Sequence, residues 1–192
     1  MRTARILVVV VIALTLGWGA ATASAVDSYF LPGVGTASAA DSYFLQIEGV
    51  EGESTDAEHG SWIDVLSFSQ DISTSPSVTG ELRGSTRGEV GPLVIVKKID
   101  KATPKLNEFC CSGRILGQVV FEATKPTGDK PVFLRYTLAD AIIVGTRTFT
   151  DPQGHLRQEV QFTFGSIEWR YTELDDSGRR KGEVTATWSA AR

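Results

Sequence analysis

From residue 40 onward, apolar side chains recur mostly at every second position, the period of a strand with one face buried. In 132–138, Val132, Leu134, Tyr136 and Leu138 alternate with Phe133, Arg135 and Thr137. In 159–164, Val160, Phe162 and Phe164 share one face, and past Gly165 the phase flips to Ile167, Trp169 and Tyr171. A phase change at a glycine predicts a β-bulge, which bends a sheet and helps it close. The same alternation predicts strands over 43–49, 62–69, 93–99, 117–124, 140–149 and 183–189. Turn-forming residues punctuate them at 126–129 (PTGD), 151–154 (DPQG) and 175–178 (DDSG).

One segment carries the helical period instead. Thr103 is placed as N-cap, Pro104 as the first helical residue and Gly113 as the stop, with Leu106, Phe109 and Cys110 on one stripe. The prediction is a mainly β protein: a closed antiparallel barrel of about eight strands with one short flanking helix. Residues 70–92 are rich in Gly, Ser, Thr and Pro and supply little core, so they predict a long protruding loop or hairpin.

The N-terminal region adds an export segment. Arg2 and Arg5 precede an apolar run, Ile6 to Leu16, and Ala23-Ser24-Ala25 forms a small-x-small cleavage site before Val26. The run is too short to span a bilayer comfortably, so cleavage after Ala25 is favoured over a retained anchor. Residues 22–31 (TASAVDSYFL) and 36–45 (TASAADSYFL) differ at one position of ten, and the copy repeats the cleavage signal at Ala37-Ser38-Ala39. The expected organisation is a signal peptide over 1–25, a duplicated linker over 26–39 and one domain over 40–192, exported to the periplasm or beyond.

Charge narrows the partners. The chain has 19 Lys and Arg against 23 Asp and Glu; without the two arginines of the first 25 residues, 17 basic residues face 23 acidic ones, net −6. No basic footprint for a phosphate backbone exists, so nucleic acid is not expected as a partner, nor is a membrane after cleavage. Cys110 and Cys111 are adjacent, a spacing that strains a disulfide, and they are read as small helix residues with one or both buried.

Candidate chemistry is thin. Glu48, Glu51, Glu53, Asp56 and Glu58 crowd one turn whose spacing matches no defined calcium loop, so a solvated acidic turn is expected. His59 and His155 lack obvious partners and are expected at the surface, and no serine stands in a nucleophile elbow. Lys97, Lys98, Asp100 and Lys101 read as a salt-bridge cluster at a strand end. Trp62, Trp169 and Trp188 are placed on strands, packing the core or lining a ligand cavity. No catalytic, metal-ligating or cofactor-binding residue is assigned.

Four collinear blocks carry a family resemblance: YFLQIEGVEGESTDAEHGSWIDVLSFS, LVIVKKIDKATPKLNEFCCSG, GSIEWRYTELDDSG and GEVTATW. Together they span roughly residues 40–190 and resemble the haemolysin-coregulated protein family, the tube-forming subunit of type VI secretion. The resemblance implies a β-barrel with one flanking helix, six-membered rings stacked into a tube, and effector proteins as cargo. It implies no enzymatic activity and no cofactor. It also places residues 70–92 where the family's long loop reaches onto neighbouring subunits, with Ser73, Val78, Thr79, Gly80, Leu82, Arg83, Gly84 and Glu89 as interface residues. The export segment departs from that family and supports the alternative of a monomeric extracytoplasmic binding module. A small hydrolase on the same barrel has no visible site.

Overall fold

The computed structural model describes residues 40–74, 88–127 and 129–190. In chain order the elements are β1 (Ser42–Ile47), β2 (Ile63–Ser73), β3 (Glu89–Lys98), α1 (Thr103–Ser112), β4 (Ile115–Thr124), β5 (Val132–Thr150), β6 (Leu156–Thr163), β7 (Ser166–Leu174) and β8 (Arg180–Ser189). Cleavage at Ala25–Val26 and the duplicated linker fall outside the described residues, as do Val78, Thr79, Gly80, Leu82, Arg83 and Gly84.

Every strand pairing is antiparallel, in the order β4-β1-β2-β3-β6-β5, and β5 pairs back onto β4. Six strands therefore close a ring. The expectation of one barrel of eight is corrected here: β7 pairs with β5 and β8 pairs with β7, so these two leave the ring as a wing. The separate strands expected over 132–138 and 140–149 are one continuous β5 of 19 residues. Its N-terminal half, Leu134 to Ala139, faces β7, and its C-terminal half, Ile142 to Thr150, faces β6. The phase change at Gly165 falls at that handover, as a break between β6 and β7 rather than a bulge within one strand. Opposite it, Asp140 takes a left-handed φ of 53°, and the Gly165 N–H donates to the Ala139 carbonyl at 3.0 Å.

Inward-facing residues fill the ring. Leu45, Ile63, Leu93, Ile95, Val119, Phe121, Leu138, Val160 and Phe162 are fully buried, each fixed by the two-residue alternation of its strand. The helix docks on this core through Leu106 and Phe109, as its stripe predicted, and Gly113 ends it at φ 61° in the left-handed region that glycine adopts without strain. Cys110 is half-buried against the core and Cys111 is exposed, so only one of the pair takes the interior role.

The helix start differs from the expectation. Ala102, not Thr103, is the N-cap, and it makes no side-chain cap bond. Asp100 Oδ1 instead accepts from the Ala102 N–H at 2.9 Å, and Thr103 Oγ1 accepts from Lys97 Nζ at 3.1 Å. Lys97 is wholly buried. Its ammonium also donates to Asp100 Oδ1 at 2.7 Å and to the Lys98 carbonyl at 2.8 Å, while Gln158, buried beside it, donates on to Asn107. Burial pushes the Lys97 ammonium below its ordinary range, and Asp100 opposes that shift. The strand-end cluster is thus an interior polar core tying β3, β6 and α1. Lys101 keeps the expected surface role, reaching Glu51.

The loop over 48–62 departs most from its sequence reading. Glu48, Glu51, Glu53 and Glu58 are exposed, but Asp56 and His59 are not. Gly52 lets the loop fold on itself: a Cβ there would lie 2.1 Å from the Trp62 carbonyl oxygen. His59 packs face to face on Phe44 at 4.1 Å, with the ring of Trp62 edge-on at 4.8 Å. One imidazole nitrogen meets Glu122 Oε2 at 2.7 Å, the other Asp56 Oδ1 at 3.0 Å. Lys130 Nζ, 2.7 Å from Asp56, and Arg135, paired with Glu122, complete a charged latch on the outer face of β1 and β4. Hydrogen bonds from Lys130 and then His59 hold the Asp56 carboxyl well below the usual carboxylate range. His155 is exposed in the β5–β6 turn, as expected.

Two outcomes follow for stability. Phe109→Ala removes a buried ring and should cost about 3–5 kcal/mol in denaturant unfolding, whereas a variant melting with the parent would place the helix stripe in solvent. A folded-state carboxyl held low contributes stability that is complete above about pH 4 and is lost as pH falls further. Asp56→Asn should therefore be less stable than the parent at neutral pH, with the gap closing on acidification; a gap independent of pH would place the Asp56 charge outside the latch.

Candidate assembly surface

The wing carries the feature that sets this surface apart. On β7, Ile167, Trp169 and Tyr171 lie directly across from Trp188, Ala186 and Val184 of β8, and across from Leu138, Tyr136 and Leu134 of β5. This is one apolar face, continuous with the ring interior. Cover is progressively lost along it: Ile167 is 1 % exposed, Tyr171 50 % and Val184 69 %. Ordinary strand alternation requires such a face to meet a second layer. Among the described residues that layer is only partial, supplied by Phe68, Gln70 and Ile72 at the outer end of β2 across a groove of about 360 Å³.

The groove is anchored by polar contacts at its floor. Trp169 Nε1 donates to Gln70 Oε1 at 2.9 Å, which fixes the end of β2 against β7. The other amide corner, Gln70 Nε2, is buried and has no hydrogen-bond partner among the described residues, and the same holds for Trp188 Nε1. Burial pushes the Tyr136 hydroxyl up, so this phenol stays neutral and can donate. Along the rim, β8 pairs with β7 alone among the described strands, and nearly all of its residues are exposed. A strand with one unpaired edge presents backbone donors and acceptors to any chain that can align with it.

Of the interface residues assigned from sequence, Ser73 and Glu89 are the two that lie among the described residues. Ser73 and Glu89 face each other as the outermost pair of β2 and β3, so these strands run outward together as a hairpin at the expected place. The described start of that arm is not free of its own domain, however: Gln70 and Ile72 already line the groove. Trp169 and Trp188 lie on the wing, partly buried against the core, while Trp62 precedes β2 and packs on the outer latch, so the three do not share one cavity. Sequence reasoning missed the wing as a surface. The available signal was the alternation of Val184, Ala186 and Trp188, which gives β8 one apolar face.

Comparison with known proteins places the chain. Residues 44–171 match the family described as type VI secretion system effector, Hcp. Protein hcp1 of Pseudomonas aeruginosa is 31 % identical over 148 residues, which cover 75 % of this chain and 91 % of that protein. The crystal structure of Hcp1 from Salmonella typhimurium superposes with a TM-score of 0.63 at 28 % identity, covering 78 % of this chain and 95 % of its own. A type VI secretion system effector from Yersinia pestis gives 0.63 at 25 %, covering 77 % and 99 %. The chain belongs to the Hcp family of the type VI secretion system.

Proposed function

We propose that this protein is a ring-forming structural subunit of the type VI tube kind, a homo-hexamer that stacks and carries effector proteins in its lumen, with no catalysis of its own. The uncovered apolar face of the wing, in a chain of the Hcp family, is the observation that carries this reading. Tyr171 and Val184 stand exposed beside the edge of β8 that pairs with no described strand, and full burial of such side chains stabilises an interface by about 1.5–3 kcal/mol each. A head-to-tail contact between different patches either closes as a ring or runs on as a filament. The arm that includes Ser73, Val78, Thr79, Gly80, Leu82, Arg83, Gly84 and Glu89 is the second contact in this proposal, bridging to the next subunit or the next ring.

Sedimentation of the chain starting at Val26 tests the assembly. The intact protein should run at the mass of a closed ring. Val184→Asp should run as a monomer with an unchanged circular dichroism spectrum, because a 69 %-exposed position tolerates a charge in the isolated subunit. A folded monomer from the intact chain at high micromolar concentration would contradict the ring. A ring that survives deletion of Ser73 to Glu89 would leave the wing, and not the arm, as the closing surface.

The ordered charged, apolar and cleavage regions before Val26 favour a second reading, a monomeric extracytoplasmic binding module that uses the groove as its site. Both readings share export with cleavage between Ala25 and Val26. N-terminal sequencing of the protein recovered outside the cytoplasm should read VDSYFLPG; a start at ADSYFLQI would assign cleavage to the second copy, and intact Met1 in the soluble cytoplasm would contradict export.

A further inference from the structure

The opposite face of the wing carries a different chemistry. Across the outer surface, Phe44 of β1 faces Glu122 of β4, Glu122 faces Arg135 of β5, and Arg135 faces Arg170 of β7. The last pair sets two guanidinium groups directly opposite each other on adjacent strands, an arrangement that costs stability unless an anion lies between or beside them. Beside them is a cleft of about 190 Å³, lined by Val132, Arg135, Arg170, Thr172, Arg180 and Glu183. Three arginines against one carboxylate in the lining is unexpected in a chain whose acidic residues outnumber its basic ones, 23 to 19.

The local carboxylates do not use up these donors. Each guanidinium offers five N–H groups in a fixed fork. Arg135 spends one nitrogen on Glu122, and Arg170 spends one on Glu168 at 2.8 Å. Arg170 Nε is buried and has no hydrogen-bond partner among the described residues; Glu183 Oε1, 3.7 Å away, is too far for a hydrogen bond. The Arg180 guanidinium forms no ion pair among the described residues. Thr172, 5 % exposed, adds a hydroxyl to the lining.

We propose that this cleft is a binding site for a small tetrahedral oxyanion of the phosphate class, held by Arg170 and Arg180 with Arg135 and the Thr172 hydroxyl in support. The volume is that of roughly six waters, enough for a phosphate group and too small for a base or sugar as well. Forked, charge-assisted hydrogen bonds from arginine match phosphate oxygens better than they match halide ions. Arg135, Arg170 and Thr172 alternate with Leu134, Trp169 and Tyr171 along their strands, so they belong to the strand face opposite the apolar one, with Arg170 lining both the cleft and the groove. An anion here adds a further acceptor between arginines that already pair with Glu122, Glu168 and Glu183, and ties the wing to β5.

Titration of the full exported chain with inorganic phosphate, by calorimetry and by thermal unfolding at constant ionic strength in chloride, tests the proposal. Glycerol phosphate serves as the second probe: binding equal to that of inorganic phosphate assigns the site to a phosphate group on a larger molecule as well as to the free ion, while binding of inorganic phosphate alone restricts it to the free ion. Arg180→Gln and Arg170→Gln should each weaken phosphate binding about tenfold or more and remove the rise in unfolding temperature. Arg179→Gln changes an exposed arginine paired with Asp175 outside the cleft, and should bind as the parent does. No saturable phosphate binding by the folded parent would overturn the proposal, and so would equal binding by parent, Arg170→Gln and Arg180→Gln.

Discussion

The pairing of β5 along both of its edges is the constraint on which the rest of the fold depends. One edge runs against β4 from Val132 to Ile142 and closes the ring. The other edge is divided, with β7 on its first half and β6 on its second. A strand of ordinary length serves one neighbour on each side, and 19 residues let this one serve three. The handover between β7 and β6 needs a bend, which Asp140 and the Phe164–Gly165 break supply. Closure of the ring and departure of the wing are thus two consequences of one strand.

The departure of the wing leaves an account to be settled at the surface. Inside the ring, each apolar face meets others across the barrel, and residues such as Phe121 and Phe162 are fully buried. On the wing the same alternation continues, but among the described residues the opposing layer thins out to the end of β2. The exposed end of that face, the β8 edge that pairs with no described strand, and two buried donors without hydrogen-bond partners among the described residues, Gln70 Nε2 and Trp188 Nε1, all occur on this one part of the molecule. A subunit that completes its second layer with a neighbour explains their coincidence. The polar latch around His59 and the arginine cleft occupy the opposite, outer face, so the wing separates an apolar side from a charged one.

Much of the fold was legible in the sequence. Period-2 alternation located each strand to within a few residues, and the Leu106–Phe109 stripe with Gly113 located the helix. The first two blocks of family resemblance, from Phe44 on, and the start of the third fall in the match over residues 44–171, and the block GEVTATW lies beyond it. The misreadings share a physical cause. Lys97, Asp56 and His59 read as surface residues because charged side chains default to solvent, and their burial rests on partners that folding brings together, both near in sequence, Asp100 for Lys97 and Asp56 for His59, and distant, Gln158 and Glu122, 61 and 63 positions away. Thr103 read as a cap because the local pattern fits one, yet its hydroxyl was drawn to a buried ammonium six residues earlier. Ring closure by six strands rather than eight depends on register between distant strands, which alternation alone leaves open. The wing's apolar face was visible as alternation, but whether it is covered is a property of the folded chain.

The central claim is that the wing is an incomplete layer finished by another subunit. Backbone amide hydrogen exchange across Arg180–Ser189, measured at low and at high protein concentration, tests it most directly. The account predicts that β8 amides on the edge away from β7 exchange quickly when the protein is dilute and become protected as concentration rises, while β1 and β4 amides in the ring are protected throughout. Exchange along β8 that is independent of concentration, in a protein otherwise fully folded, would contradict it.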